Sequence, residues 1–159
     1  MILDEIRNCI PHIESHYTTL DLKYCYATPQ EWINTLVQLS KSGNITDKYP
    51  FLYVNPMTVK DGGGIDHIVT IGEMVLATLS NVGWTAEQRK LKNFTAWLDP
   101  LYEYLIRAMK LSKDFSLVSE GQRTDHLFYG KQGLYGGEGN IFTDHIDAIE
   151  INNLQIRLY

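Results

Sequence analysis

The chain has 159 residues, 44% hydrophobic and 21% charged, with 14 Lys and Arg against 19 Asp and Glu for a formal charge of -5. That length supports one domain with one core, burying roughly 68–70% of the surface exposed when unfolded, so folding requires neither disulfides nor metal. The acidic balance and the lack of any basic block exclude tight nucleic-acid binding by phosphate neutralisation.

Cys9 and Cys25 have no CxxC pattern and no partner set, so they read as ordinary thiols of a reducing compartment. Asp4 and Glu5 stand among the first apolar residues, where a signal peptide would carry a cationic region followed by an apolar run. The longest weakly polar stretch, Ile65 to Leu79, is interrupted by Asp66, His67 and Glu73 and falls short of the roughly 18 apolar residues of a membrane span. A soluble protein made inside the cell is expected.

In chain order, Ile2, Leu3, Ile6, Ile10 and Ile13 recur at helical spacing, with Pro11 bending or breaking that helix. Leu20, Leu22, Tyr24 and Tyr26 then alternate with polar or small residues as in a half-buried strand. Thr28-Pro29-Gln30-Glu31 combines a cap, a proline at the first helical position and a Glu that reaches back, predicting a helix over about 29–42 that stops at Gly43. Its apolar face is Trp32, Ile33, Leu36, Val37 and Leu39.

Phe51 to Val54, bounded by Pro50 and Asn55-Pro56, predicts a short strand at a sheet edge or ending at its prolines. Residues 65–80 mix both strand phases and predict one long strand with a bulge near Gly72. Thr85-Ala86-Glu87-Gln88 is a second capping box, opening a helix with Leu91, Phe94, Trp97 and Leu98 inward. Asp99-Pro100 predicts a kink or break, followed by a segment burying Leu101, Leu105, Ala108 and Met109. Strands follow at Phe115–Leu117 and His126–Tyr129, then a glycine-rich loop from Gly130 to Gly139. In the tail the apolar phase switches between Ile149, Ile151 and Leu154, Ile156, Leu158, so a bulge or turn is expected at Asn152-Asn153. The order predicts an α+β single domain over 1–159, a mostly antiparallel sheet flanked by helices including a long broken helix at about 86–111. Residues 1–44 form a helix–strand–helix part and 45–159 the remainder.

Four side chains could support chemistry: His126, Asp144, His145 and Asp147, with the repeated Thr-Asp-His at 124–126 and 143–145. Imidazole and carboxylate together can hold a divalent metal or form a base with its orienting group, which raises the alternative of a metal-dependent hydrolase or nuclease. On a regular strand Asp144 and His145 face opposite ways and no HExxH spacing is present, so surface or interface polar groups are the simpler expectation. The segment GKQGLYGGEGN lacks both the Gly-Lys-Ser/Thr and the Gly-x-Gly-x-x-Gly of phosphate loops. It reads as a pliable loop that orders against a neighbour, as does Gly62-Gly63-Gly64. No Gly-x-Ser-x-Gly elbow supplies a serine nucleophile, and both cysteines read as packing residues. Tyr102, Tyr104, Phe128, Tyr129 and Tyr135 lack a basic track and point to protein contact, which leaves a small protein-binding adaptor as a further alternative. Arg107, Lys110 and Lys113 complement the negative end of the long helix. Arg89, Lys90 and Lys92, in its first turns, are expected on a solvated face or toward an acidic partner.

Tyr49 to Val54, the strand around Ile65 to Leu79, Trp84 to Arg89, Leu98 to Tyr102 and Asp147 to Leu154 resemble the small neck proteins of tailed bacteriophages. The pattern is similar to head–tail connector and tail-terminator or tail-completion ring proteins, including those of phages of gut Bacteroidetes, and spans most of 45–158. The resemblance implies a non-catalytic virion subunit with no cofactor and no metal. It would close into a homo-oligomeric ring contacting portal, connector or tail-tube proteins, with DNA passing through unbound and no membrane involved. Such a protein is made and assembled in the host cytoplasm and resides in the virion neck or tail. Loop pliability and aromatic exposure place the subunit contacts at Gly62, Gly63, Gly64, Tyr129, Gly130, Leu134, Tyr135, Gly136 and Gly137.

Overall fold

The computed structural model describes residues 23–27, 30–32, 34, 50–55, 59–61, 68–81, 83–113, 115–127 and 146–158. They form the expected α+β fold. The strands are β1 (Lys23–Tyr26), β2 (Phe51–Val54), β3 (Val59–Asp61), β4 (Ile68–Leu79), β5 (Phe115–Ser119), β6 (Gln122–His126) and β7 (Ile146–Leu158). A continuous helix, α1, joins β4 to β5 through Ala86–Arg89, Lys90–Leu98 and Asp99–Lys110. The expected helix over 2–16 and the loops at 62–64 and 130–139 lie outside the described residues. Of the helix expected over 29–42, residues 30–32 and 34 are described and helical.

All strands join one sheet in the order β1-β2-β4-β7-β5, with β3 also on β4 and β6 also on β7. Among the described strands only β1 and β2 run parallel. The long pair β4–β7 is the spine, in register from Ile68 opposite Arg157 to Leu79 opposite Ile146. β2 lies inside the sheet between β1 and β4, and Pro50 falls just before its first residue, where no ladder hydrogen bond is lost.

Both spine strands exchange faces at one level. Toward α1 they present Val69 and Ile71, then Met74 and Leu76; opposite these stand Ile156 and Leu154, then Ile151 and Ile149. The period-2 pattern therefore inverts at Gly72-Glu73 in β4 and at Asn152-Asn153 in β7, and because both strands invert together the register between them survives. Asn153 takes φ 58, a left-handed conformation that Asn tolerates better than most residues. On the far side of β7 the gap between β5 and β6 falls at the same level, and Gly121 there has φ 72. A Cβ on Gly121 would lie 2.4 Å from the carbonyl oxygen of Asn152. On the near side Asn55 ends β2, its N–H donating to the Glu73 carbonyl at 3.1 Å and its side-chain amide to the Glu73 carboxylate at 3.1 Å.

The core between sheet and helix joins Leu52, Val54, the spine residues above and Phe115 to Phe94, Leu98, Leu101, Leu105, Ile106 and Met109. The opposite face carries a second cluster, in which Trp32 stacks on Tyr53 at 4.1 Å and meets Phe51 edge-on at 5.3 Å, over Val75, Ala77, Ile146 and Ala148. Among the described residues no helix is long and apolar enough to cross a membrane.

The capping box at the start of α1 forms as expected: Thr85 Oγ1 accepts from the Gln88 N–H at 3.2 Å and the Thr85 N–H donates to Gln88 Oε1 at 2.9 Å. The interruption expected at Asp99-Pro100 takes the form of a change of winding. Lys90–Leu98 is π-helical, and the Asp99 N–H donates five residues back to Phe94. Pro100 has no N–H and its ring crowds the carbonyl four residues earlier, so a widened turn just before it keeps the helix running through. The wider winding also rotates the faces. Leu91 and Trp97, expected inward, are 60% and 40% exposed, while Arg89 and Asn93 are buried.

The paired inversion depends on a residue without a side chain at position 121. Gly121→Ala adds a Cβ against the β7 backbone in a left-handed conformation and should lower stability by about 2 kcal/mol or more, read as the shift in urea midpoint.

Candidate functional site

Asp147 is fully buried at the start of β7, in phase with Ile149 and Ile151 and therefore pointing at α1. Asn93 Nδ2 donates to Asp147 Oδ2 at 2.6 Å and reaches the Leu79 carbonyl at 3.3 Å. Arg89, one helical step before Asn93, is also fully buried, with Nη2 3.5 Å from Asp147 Oδ1 and Nε donating to Ser80 Oγ at 3.0 Å. Burial holds the Arg89 guanidinium below its ordinary pKa against the opposing pull of Asp147, and arginine starts high enough to remain charged. This network fastens the first turns of α1 to the ends of β4 and β7. The placement of Arg89 on a solvated or partner-facing surface is thus corrected: the π winding and the buried carboxylate of Asp147 bring it inside. Lys90 and Lys92 are exposed, with Lys92 Nζ 4.6 Å above the Trp84 ring.

A second polar group lies at the outer strand. Register places Arg123 and Asp125 opposite Ile151 and Ile149, on the α1 side of the sheet. Arg123 pairs with Asp99 of α1, donates from Nε to Asp125 Oδ1 at 2.8 Å, and sits 4.7 Å above the Tyr102 ring. Burial lowers the Arg123 pKa, but the hydrogen bonds to Asp125 and Asp99 outweigh it and leave it above the ordinary value. Tyr102 is shifted upward, first by burial and then by the Glu120 carboxylate.

Beside this group, α1 and β6 flank a cleft of about 440 Å³ with Ala86, Phe94 and Leu127 as apolar lining and Glu87, Lys90, Asp99 and Asp125 as charged lining. Its size lies in the range of small-ligand pockets.

Of the four side chains singled out for chemistry, the two described ones do not meet. His126 is opposite Ala148 on the face away from α1, where its Nε2 lies 2.7 Å from Glu150 Oε2, and the other Glu150 oxygen accepts from Asn152 at 3.0 Å. Asp147 points to the opposite face, into the helix network. Asp144 and His145 lie outside the described residues. Among the described residues no three His, Cys, Asp or Glu side chains converge as metal ligands would. The residues expected at subunit contacts, Gly62, Gly63, Gly64, Tyr129, Gly130, Leu134, Tyr135, Gly136 and Gly137, lie outside the described residues, as do Phe128 and Cys9, while Cys25 is in β1. Tyr102 and Tyr104 are half-buried against the main core.

Comparison with protein-family models, with curated proteins and with solved structures finds no match for this chain.

Sequence reasoning missed Arg89, Asn93 and Arg123 as structural polar groups. One signal was present: Asp147 occupies an inward phase of a strand otherwise filled by isoleucine, and a buried carboxylate requires a cationic or hydrogen-bonding partner. Asp147→Ala leaves the Arg89 charge buried without its carboxylate and should cost about 3–5 kcal/mol in urea unfolding, whereas the double change Arg89→Met with Asp147→Leu should cost far less.

Tyr102 keeps its proton to higher pH when folded than when unfolded, because its folded pKa is raised. The associated stability is complete below the ordinary tyrosine value near 10 and disappears as pH rises through the folded value. The urea midpoint should therefore fall across that alkaline window, and fall less in Tyr102→Phe.

Proposed function

We propose that this protein is a structural subunit of a bacteriophage virion neck, assembled as a ring that joins the portal to the tail or caps the tail while DNA passes through. The observation that carries the reading is the shape of the sheet. Among the described residues it ends on β1 and β3 at one side and on β5 and β6 at the other, two edges of unlike sequence and direction. A closed cyclic ring is built from heterologous contacts, in which one surface of each subunit meets a different surface of the next, and a sheet with two unlike edges can supply both. The acidic composition supports the same reading, since a lumen with little affinity for phosphate does not retard DNA. The resemblance of the segment order to connector and terminator proteins is what suggests the neck as the place of such a ring.

Mass photometry of the purified chain, alone and mixed with portal, connector and tail-tube proteins, tests the proposal. Rings of many copies, alone or on a portal or tail tube, are expected. A chain that forms no ring and joins none of these partners would overturn the assignment.

A further inference from the structure

Leu91, Phe94, Leu98, Leu101 and Leu105 follow one another at intervals of three and four, the stripe of an α-helix with one covered face. Phe94, Leu98, Leu101 and Leu105 are buried, yet Leu91 is 60% exposed. Its place on the inward face is taken by Arg89 and Asn93, both fastened to Asp147. The π winding of Lys90–Leu98 makes this exchange, and it runs for nine residues, where π winding inside helices is mostly a single turn. Two windings of one segment thus compete, and each satisfies a different set of side chains.

We propose that the first half of α1 is a two-state element. In the state seen in the structure the segment is π-wound, Arg89 and Asn93 close on Asp147, and the helix runs unbroken through Pro100. In the other state Lys90–Leu98 is α-wound. Seven residues then make just under two turns, so Leu91 comes into line with Leu98 and joins Phe94 in the core, while Arg89 and Asn93 turn toward water. The helix breaks at Asp99-Pro100, because an α turn there sets the proline ring against the carbonyl four residues back. The capping box at Thr85 precedes the segment and serves either winding. Burial of Leu91 favours the α state, and the loss of Arg89 and Asn93 from the buried Asp147 carboxylate opposes it more strongly, so the π state is the populated one. The outer side of the helix bears Leu91 in the first state and the Arg89 guanidinium in the second. An apolar surface that covers Leu91 holds the π state and an acidic one that takes Arg89 draws out the α state, each through its difference in affinity for the two. The inference does not rest on the neck assignment.

Relaxation dispersion of backbone amides in the unaltered chain reads exchange between the windings on the μs–ms scale. Residues 89–99 should show it, and Leu105 to Met109, α-wound in both states, should not. Pro100→Ala lets the α winding run on without a break and should enlarge the effect. The second readout is the cost of Leu91→Ala, taken as the fold-change in the unfolding equilibrium constant from urea titrations. In the unaltered chain Leu91 lies at the surface, and the change should be about threefold or less. Pro100→Ala combined with Asp147→Leu removes both the proline and the carboxylate that favour the π state. In that background Leu91→Ala should cost about 30-fold or more, as at a core leucine. Should the combined variant not fold, Pro100→Ala alone serves as the background, with a cost clearly above that in the unaltered chain. Flat dispersion over 89–99, or a cost of Leu91→Ala that is the same in the altered background as in the unaltered chain, would overturn the proposal.

Discussion

A charge sealed between helix and sheet fixes how the two layers meet. Asp147 is at the start of the spine strand β7 and Arg89 on the first turns of α1, both fully buried. Neither can be left alone in that environment, because an uncompensated buried ion is far costlier than any single apolar contact there is favourable. Sliding α1 by one turn, or rotating it, would separate Arg89 from Asp147 and Asn93 from the Leu79 carbonyl together. Apolar packing between Leu98, Leu101 and the spine is less selective, since isoleucine and leucine side chains repack at modest cost. The polar group thus sets the register and the apolar cluster supplies most of the adhesion.

The winding of α1 has a cause of its own, and it determines which side chains reach that contact. Regular α-helical spacing starting at Thr85 predicts Leu91 and Trp97 inward, a sound inference from period 3.6 that the structure overturns for a local reason. A proline at 100 forbids the ordinary hydrogen bond at that point, the helix widens before it, and Arg89 and Asn93 join Phe94 and Leu98 on the inward face in place of Leu91 and Trp97. Beyond Pro100 the α period returns, and Leu101, Leu105 and Met109 are inward as the pattern requires. The residue pattern is therefore fully readable on the C-terminal half of this helix and only half so on the N-terminal half, where Phe94 and Leu98 are inward but an unusual turn carries Leu91 and Trp97 out.

The sheet shows the complementary case. The mixed phase of 65–80 and the switch at Asn152-Asn153 are visible as interruptions of a period-2 pattern, and both are real. What a single strand's pattern cannot convey is that the two interruptions are partners. Their alignment is a property of pairing between segments some eighty residues apart, comparable with the separation of Thr70 from Gln155 across the ladder. Gly121 belongs to the same level and looks in the sequence like one glycine among twelve. Only the approach of the Asn152 carbonyl gives it a distinct role.

The aromatic residues at His126–Tyr129 predict a strand a few residues later than β6, because the strand itself, Gln122–His126, contains no apolar residue. Hydrophobic alternation reports burial rather than extension, so a strand with both faces in water leaves no trace in it. The same absence has a physical consequence. An outer strand bearing Gln, Arg, Thr, Asp and His cannot be covered by an apolar strand without burying charge, which removes most accidental partners. The bulge at Val118 and the turned-over Gly121 limit the flat, pairable stretch on that side to the residues that follow them. Arg123 and Asp125, two residues apart on one face, are paired with each other, and Arg123 also with Asp99 of α1, so the charges that hid the strand from pattern analysis are what fasten it to the helix.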